Sequence, residues 1–533
     1  MPAEGDASAS RMQRLRARLP WLAAVFSGLL LVAAFPPLDI PECAWIALVP
    51  LILACRSVKQ QQVWKLGFLA GVSFWLFAMS WLHYVTVAGW IMLCLYCSLF
   101  MIPFAVLTGA WLKARDPAKW MYNLGYLVLA PLWWAGSEYL RSSLLTGFPW
   151  NTLGTSQSSF VPLLQPASWG GVYAVSAILV LFNAGVATII LRYRGSRMRW
   201  GSNAHPEILL PLLALAMVMS MGLRSVREAR GVETPVHIGL VQPNIPQIDK
   251  WTEDTIPLIF QRLQTLTSDL HQDRDLDLII WPETALDDVR NQPDCFELVR
   301  RLVEGKTPLL VGSMDTGFAK DGKPVYYNSS FLFDTNATLV QGYDKQHLVL
   351  FGEYTPFEDV LPFIRVLTPN QASFTAGTNS TVFTIPEKPE VAFTSLICFE
   401  DVLPYLSRKA VLAGARLLVN QTNDAWFEKS GASRQHLAHC VLRCVENGVP
   451  AVRAANTGVS CSIDRNGIVR QVLQNDTGNT FIANSMKVWT MVPGREMPLT
   501  WYTRHGDLFG KGCLALLVGS LCWLYVGRLV KRS

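Results

Sequence analysis

The sequence predicts a bundle of about eight transmembrane α-helices joined to one extracytoplasmic α/β layered domain. Three observations predict this fold class. Charged residues are only 16% of the chain and hydrophobic residues 51%, whereas soluble domains are about a quarter charged. Apolar runs near the bilayer-spanning length of about 20 residues crowd residues 20–223 and recur near the C-terminal end. From about residue 235, short β-rich runs alternate with amphipathic stretches, which indicates an α/β layered domain. A chain of 533 residues has room for two or more such units.

Taken in order, the apolar runs fall near 20–36, 42–55, 64–82, 89–112, 122–140, 161–191, 207–223 and 509–527. The second is short, and the sixth is long enough to include an interfacial stretch. Basic residues set the orientation, because Lys and Arg collect in cytoplasmic loops. They mark the N-terminal tail (Arg11, Arg14, Arg16, Arg18) and the segments 56–65 (Arg56, Lys59, Lys65) and 113–120 (Lys113, Arg115, Lys119). They mark 192–206 (Arg192, Arg194, Arg197, Arg199) and the C-terminal tail (Arg528, Lys531, Arg532) as well. The intervening loops carry at most Arg141. The expected division is a cytoplasmic tail over 1–19, helices one to seven over 20–223, an outer domain over 224–508, and helix eight with a second cytoplasmic tail over 509–533. Residues 11–35 also have the basic start and apolar stretch of a signal peptide. However, Phe35-Pro36-Pro37 is a poor cleavage context, and another apolar run follows at once.

The net charge of +6 is scattered, and no Lys/Arg block has the density of a nucleic-acid patch. Of 11 cysteines, Cys43, Cys55, Cys94, Cys97, Cys513 and Cys522 lie in apolar runs, where they act as small apolar residues. Cys295, Cys398, Cys440, Cys444 and Cys461 remain, an odd number without the spacing of a disulfide framework.

In the outer domain, strands are predicted at 236–242, 277–281, 308–313, 325–333, 391–397, 416–420, 450–454 and 459–464. Helices are predicted at 254–271, 401–413 and 433–447. Cys398 follows the strand Val391–Ile397 and precedes a helix whose N-terminus favours a thiolate. Glu283, in Trp281-Pro282-Glu283, stands just past another strand end and is the candidate general base. Lys345, in Tyr343-Asp344-Lys345, again follows a strand and is the candidate cation for an oxyanion. Taken singly, these are an inert thiol, a loop carboxylate and a surface lysine. Together they place one Glu, one Lys and one Cys at the ends of different strands of one domain. His436, Cys440 and Cys444 share a helix face at four-residue spacing, which imitates a metal site. Core packing is the preferred reading of that face, and no metal or other cofactor is expected.

The order Glu, Lys, Cys, carried by Trp281-Pro282-Glu283, Tyr343-Asp344-Lys345-Gln346-His347-Leu348 and Ser395-Leu396-Ile397-Cys398-Phe399-Glu400, resembles the nitrilase (carbon–nitrogen hydrolase) superfamily. Within it, nearly the whole chain resembles the bacterial apolipoprotein N-acyltransferases. Ala34-Phe35-Pro36-Pro37, Gly147-Phe148-Pro149-Trp150-Asn151, Val241-Gln242-Pro243-Asn244-Ile245-Pro246, His347 to Tyr354 and Asn423 to Phe427 add to the match. The resemblance implies an αββα fold for the outer domain, with Glu283, Lys345 and Cys398 as catalytic residues. It implies supporting or substrate-binding roles for Trp150, Trp251, Asn328, Glu353, Phe399 and Glu400. Glu353 is expected to orient Lys345 and Glu283. Glu400 is expected either to cap the next helix or to join the site. The implied reaction transfers an acyl group from a phospholipid, typically phosphatidylethanolamine, to a diacylated apolipoprotein at the bacterial inner membrane. The partners are therefore lipids and a lipoprotein, and no nucleic acid.

This chain departs from the family pattern at Phe399 (often Tyr), Glu428 (typically Gly) and Ala455 (commonly Thr). Residues 355–376, long and apolar, are expected to gate the site. Two other readings stay open at this level. Water in place of the amine makes the same three groups an amidase or nitrilase, although small amides need no membrane bundle. A receptor or transporter with an inactive domain is the other, against which the scarcity of charges in the apolar runs argues.

Overall fold

The computed structural model describes residues 4–195, 205–227, 231–247, 250–272, 275–354 and 373–530. Arg197, Arg199, Lys531, Arg532 and most of the expected gating segment lie outside them. The chain divides into two compact units, one of Met1–Ser80, Trp90–Arg224 and Asp507–Ser533, the other of Trp81–Gly89 and Ser225–Gly506.

The first unit is helical. Among the described residues, five helical stretches are long and apolar enough to cross a membrane: Gln13–Ala33, Val87–Ala114, Val172–Arg194, Pro206–Arg227 and Leu508–Gly527. The expected run at 42–55 is a 3-10 turn, Pro41–Trp45, and a nine-residue helix, Val49–Ser57. Pro41 and Pro50 each stand in the first turn of a segment, where proline's missing N–H leaves no helical bond unmade. At 1.5 Å per residue the second segment is too short to span by itself. The run at 89–112 is two helices, Val87–Leu99 and Ile102–Ala114, meeting just before Pro103. The sixth run opens with short turns, and its helix, Val172–Gly195, starts after Gly171 at φ +65°.

Helices here approach through small residues, as expected where burial from water cannot drive association. A Cβ on Gly136 would sit 2.6 Å from the Cys513 carbonyl oxygen. Some buried charges of this unit are paired across helices. Arg192 Nη1 lies 2.9 Å from both Glu207 carboxylate oxygens, and Asn123 donates to Glu207 at 2.9 Å. Trp150, for which the resemblance implies a supporting or substrate-binding role, is only 2% exposed. Its carbonyl accepts from Arg141 at 2.8 Å, and its ring stacks on Phe148. It is an internal packing residue of the helical unit.

The second unit is two β-sheets faced by helices. One sheet runs β13-β1-β2-β4-β5-β6, with β3 beside β4. Its strands are β1 (Glu233–Gln242), β2 (Leu278–Ile280), β3 (Leu286–Asp288), β4 (Leu309–Phe318), β5 (Pro324–Phe333), β6 (Leu339–Asp344) and β13 (Asn484–Pro493). The other runs β12-β11-β10-β9-β8-β7. It comprises β7 (Phe383–Ile385), β8 (Lys388–Ile397), β9 (Leu417–Thr422), β10 (Ala451–Ala455), β11 (Cys461–Ile463) and β12 (Val469–Val472).

Side-chain alternation builds the layers, because successive residues of a strand face opposite ways. Val236, Ile238 and Leu240 of β1 join Leu278, Ile280, Val391, Phe393, Leu417 and Val419 between the sheets. Their out-of-phase neighbours Val241, Ile279 and Val311 pack instead with residues of the helices Ile256–Leu270 and Pro293–Val303. Gln421 pins the inter-sheet layer. It donates to the Trp281 carbonyl at 2.7 Å and accepts from Ser395 at 2.8 Å and from Ser330. The sequence reading did not name β3, β7, β12, β13 or the helix Pro293–Val303.

Candidate active site

Three strand ends carry the candidate chemistry: Glu283 after β2, Lys345 after β6, and Cys398 after β8. Gln421 fixes the Glu283 turn through Trp281, and Gly312 on the neighbouring β4 leaves room for it. A Cβ on Gly312 would lie 2.1 Å from the Pro282 carbonyl oxygen and 3.0 Å from the Glu283 Cα. Gly312→Ala is therefore expected to destabilise the domain by about 1–3 kcal/mol through overpacking. A lowered thermal midpoint would register this, and any activity that needs Glu283 should fall with it. An unchanged midpoint would show that the turn gives way freely.

Glu283, Lys345, Glu353 and Asn328 form one buried cluster. Lys345 Nζ lies 2.8 Å from Glu353 Oε1 and 3.5 Å from Glu283 Oε1. Asn328 Nδ2 donates to Glu283 Oε1 at 2.8 Å and to Glu353 Oε1 at 3.3 Å. Glu353 Oε2 accepts from the Val349 backbone N–H at 2.9 Å. Lys345 is 1% exposed. Its burial favours the neutral amine, but Glu353 and Glu283 outweigh this and hold it cationic. Glu283 Oε2 has no hydrogen-bond partner among the described residues. This buried acceptor is open to a proton donor.

Cys398 is partly accessible and adopts φ +52°, a strained conformation for a residue with a side chain. Its carbonyl accepts from Asn420 Nδ2 at 3.1 Å and faces His436 Nε2 at 3.2 Å, which holds the strained turn. Trp251, Thr284 and Phe351 also have positive φ, so strain gathers around this end of the domain. The expectation of a helix-stabilised thiolate is overturned. Cys398 opens only a five-residue 3-10 turn, Cys398–Val402. Burial, reinforced by the Glu283 charge, pushes the thiol well above its usual range despite the opposing Lys345 charge. This direction keeps the Cys398 thiol neutral.

Glu400 is a clasp. Its carboxylate accepts from Ile397 N and Gln346 N at 2.8 Å, from His347 N at 3.1 Å, and from the Tyr343 hydroxyl at 2.9 Å. It thus ties the turn bearing Cys398 to the loop bearing Lys345. Phe399 stacks on His347 with ring centroids 6.1 Å apart, so the ring packs without a hydroxyl. Glu428, where the family pattern has Gly, sits at φ +49°, a conformation that costs glycine nothing. Trp251 packs against the core between the first sheet and its helices. Trp150 belongs to the helical unit.

Lys250 and the acidic partners of His436 escaped the sequence reading. Lys250, nine-tenths buried, donates to Thr284 Oγ1 at 2.8 Å, and burial lowers its pKa to about 8 against the opposing Glu283 charge. It is adjacent to Trp251, but a lone lysine carries no motif. His436 does not pack with Cys440 and Cys444 alone. Its ring lies 2.7 Å from Asp401 and 3.0 Å from Asp424.

Two back-to-back sheets with a carboxylate, an ammonium and a thiol at their strand ends define a carbon–nitrogen hydrolase-type domain, and residues 237–486 match the carbon–nitrogen hydrolase family. Residues 27–185 match the apolipoprotein N-acyltransferase N-terminal domain. An apolipoprotein N-acyltransferase of Geobacter metallireducens is 36% identical, covering 93% of this chain and 94% of the relative. That of Chlorobaculum tepidum is 29% identical, covering 93% and 95% respectively. A nitrilase-superfamily structure from Saccharomyces cerevisiae aligns with 49% of this chain and 90% of its own, at 16% identity and a TM-score of 0.36. The chain belongs to the apolipoprotein N-acyltransferase family, acyltransferases of the carbon–nitrogen hydrolase superfamily.

Proposed function

We propose that the protein moves a fatty acyl group from a phospholipid to the α-amine of a diacylglyceryl-cysteine apolipoprotein, through a thioester on Cys398. The observation that carries this reading is a neutral thiol flanked by a buried carboxyl group with an open oxygen and a lysine held cationic. Glu283 takes the thiol proton as sulfur attacks the ester carbonyl. Lys345 and a backbone N–H near Phe399 stabilise the oxyanion. The ester C–O bond breaks, and the lysophospholipid leaves with the proton returned from Glu283. The free amine of the acceptor then attacks the thioester. Glu283 accepts the amine proton, an amide forms, and the thiol is restored. Asn328, Glu353 and Glu400 hold these groups in place. No cofactor enters the scheme.

In this reading the helical unit sits in the bacterial inner membrane as about eight spans, with both tails cytoplasmic and the catalytic domain periplasmic. The alternation of loops rich in basic residues with loops that carry at most one supports that orientation. Both substrates carry acyl chains, and exposing them to water costs about 0.8 kcal/mol per CH₂. A membrane-held site avoids that cost. Phosphatidylethanolamine is the donor we propose.

The test supplies phosphatidylethanolamine with a labelled acyl chain and a diacylglyceryl-cysteine peptide, either with a free amine or N-acetylated. Labelled amide is expected on the free amine alone, and none with Cys398→Ala. Release of free fatty acid with no peptide product would instead make the protein a hydrolase.

A further inference from the structure

A buried polar network holds the carbonyl of Cys398. That carbonyl accepts from Asn420 Nδ2 at 3.1 Å and faces His436 Nε2 at 3.2 Å. Arg453 orders both groups. Its Nη1 donates to Asn420 Oδ1 at 2.7 Å, so the amide turns its Nδ2 toward the Leu396 and Cys398 carbonyls. Its Nη2 lies 2.8 Å from both His436 Nδ1 and Asp424 Oδ2, and its Nη1 lies 3.2 Å from Asp401 Oδ2. Asp401, Asn420, Asp424, His436 and Arg453 are each at most 1% exposed. Burial alone favours a protonated Asp424, but Arg453 and His436 reverse this and hold its pKa at about 2.

His436 Nε2 lies between two acceptors, Asp401 Oδ1 at 2.7 Å and the Cys398 carbonyl at 3.2 Å, so it carries a hydrogen. Nδ1 lies between a donor, Arg453, and an acceptor, Asp424 Oδ1 at 3.0 Å, so the ring can hold one proton or two. Burial and the Arg453 charge oppose the second proton, and Asp401 and Asp424 outweigh them. The Nε2–H is present in either form. The Cys398 C=O and the Phe399 N–H belong to one planar trans peptide, in which they point opposite ways. Two donors on the carbonyl therefore fix the direction of the N–H. They also polarise the peptide, which strengthens that N–H as a donor. The network is buried, whereas Cys398 and Phe399 are partly accessible.

We infer that His436 and Asn420 are positioning residues for acylation, which clamp the Cys398 carbonyl so that the Phe399 N–H of the same peptide is aimed at the oxyanion. This rests on the proposed thioester chemistry at Cys398. Neither residue touches the reacting atoms or moves a proton. Cys398 sits at φ +52°, a conformation that persists only where its surroundings over-determine it, and two donors on one carbonyl do so. Without them the turn can relax and carry the N–H off its line.

The test compares wild-type protein with His436→Leu, His436→Gln and Asn420→Ala in lipid. It reads two reactions of Cys398: single-turnover acylation by phosphatidylethanolamine, which passes through an oxyanion, and alkylation by iodoacetamide, which does not. His436→Leu and Asn420→Ala are each expected to slow acylation about 10- to 100-fold, short of the factor of about 10²–10³ for losing an oxyanion donor outright. Alkylation should stay within a few fold of wild type. His436→Gln, whose amide can still donate to the carbonyl, should restore acylation to within a few fold. If the Leu variant fails to fold, Asn420→Ala is read in its place. Folded variants that acylate within twofold of wild type, or that lose both reactions together, overturn the inference, the second pattern being that of a purely structural network. Wild-type protein that forms no acyl-enzyme refutes the nucleophile itself, a distinguishable outcome.

Discussion

Glu283→Gln is expected to slow acylation of Cys398 by about 10³-fold while leaving the domain folded. General-base catalysis is worth about 10²–10⁴, and here the thiol rests protonated, so attack needs a base in place. The substitution preserves shape. A glutamine oxygen can still accept from Asn328, which now donates at 2.8 Å, and Lys345 keeps its 2.8 Å partner Glu353. A rapid-quench measurement of acyl-enzyme formation, alongside a thermal midpoint, separates the two effects. A variant that acylates within tenfold of wild type would place the base elsewhere.

Lys345→Met is expected to be the most damaging single change, because it removes a cation that two functions share. It leaves Glu283 and Glu353 buried together, both accepting from Asn328. Breaking a buried ion pair from one side costs about 3–5 kcal/mol, and losing an oxyanion donor costs about 10²–10³ in rate. A second substitution separates the two losses. Adding Glu353→Gln removes one uncompensated carboxylate, so much of the thermal midpoint should return while acylation stays defective. Recovery of activity together with stability would show that Lys345 is a structural cation only.

The parts of the site legible in the sequence are those in which a motif and a strand end coincide. Trp281-Pro282-Glu283, Lys345 after β6 and Cys398 after β8 each stand at a local boundary, so short-range pattern places them. The charged network behind Cys398 was not legible. Asp401, Asp424, His436 and Arg453 come from different elements and converge only through the packing of the second sheet. In that sheet Arg453 pairs in register with Asn420, whose side chain bonds the Cys398 carbonyl. His436 was grouped with Cys440 and Cys444 because helical spacing is visible in sequence and long-range partners are not. The thiol was misjudged for a related reason. A helix start after β8 suggests a stabilised thiolate, yet burial and the Glu283 charge, known only from packing, dominate. The short helix Val49–Ser57 shows a local signal outvoted in the other direction. Apolar content marked one short run at 42–55, which the structure breaks into the turn Pro41–Trp45 and this helix, with Pro50 in its first turn.

The central claim is that Cys398 accepts an acyl group directly from a phospholipid. Intact-mass measurement of the protein after incubation with phosphatidylethanolamine alone tests this most directly, with peptide mapping to locate the added mass. The account predicts one acyl group, on Cys398, labile to hydroxylamine as a thioester and discharged by a diacylated peptide amine. An unmodified Cys398 under turnover conditions, or an acyl group on any other residue that the amine discharges, would contradict it.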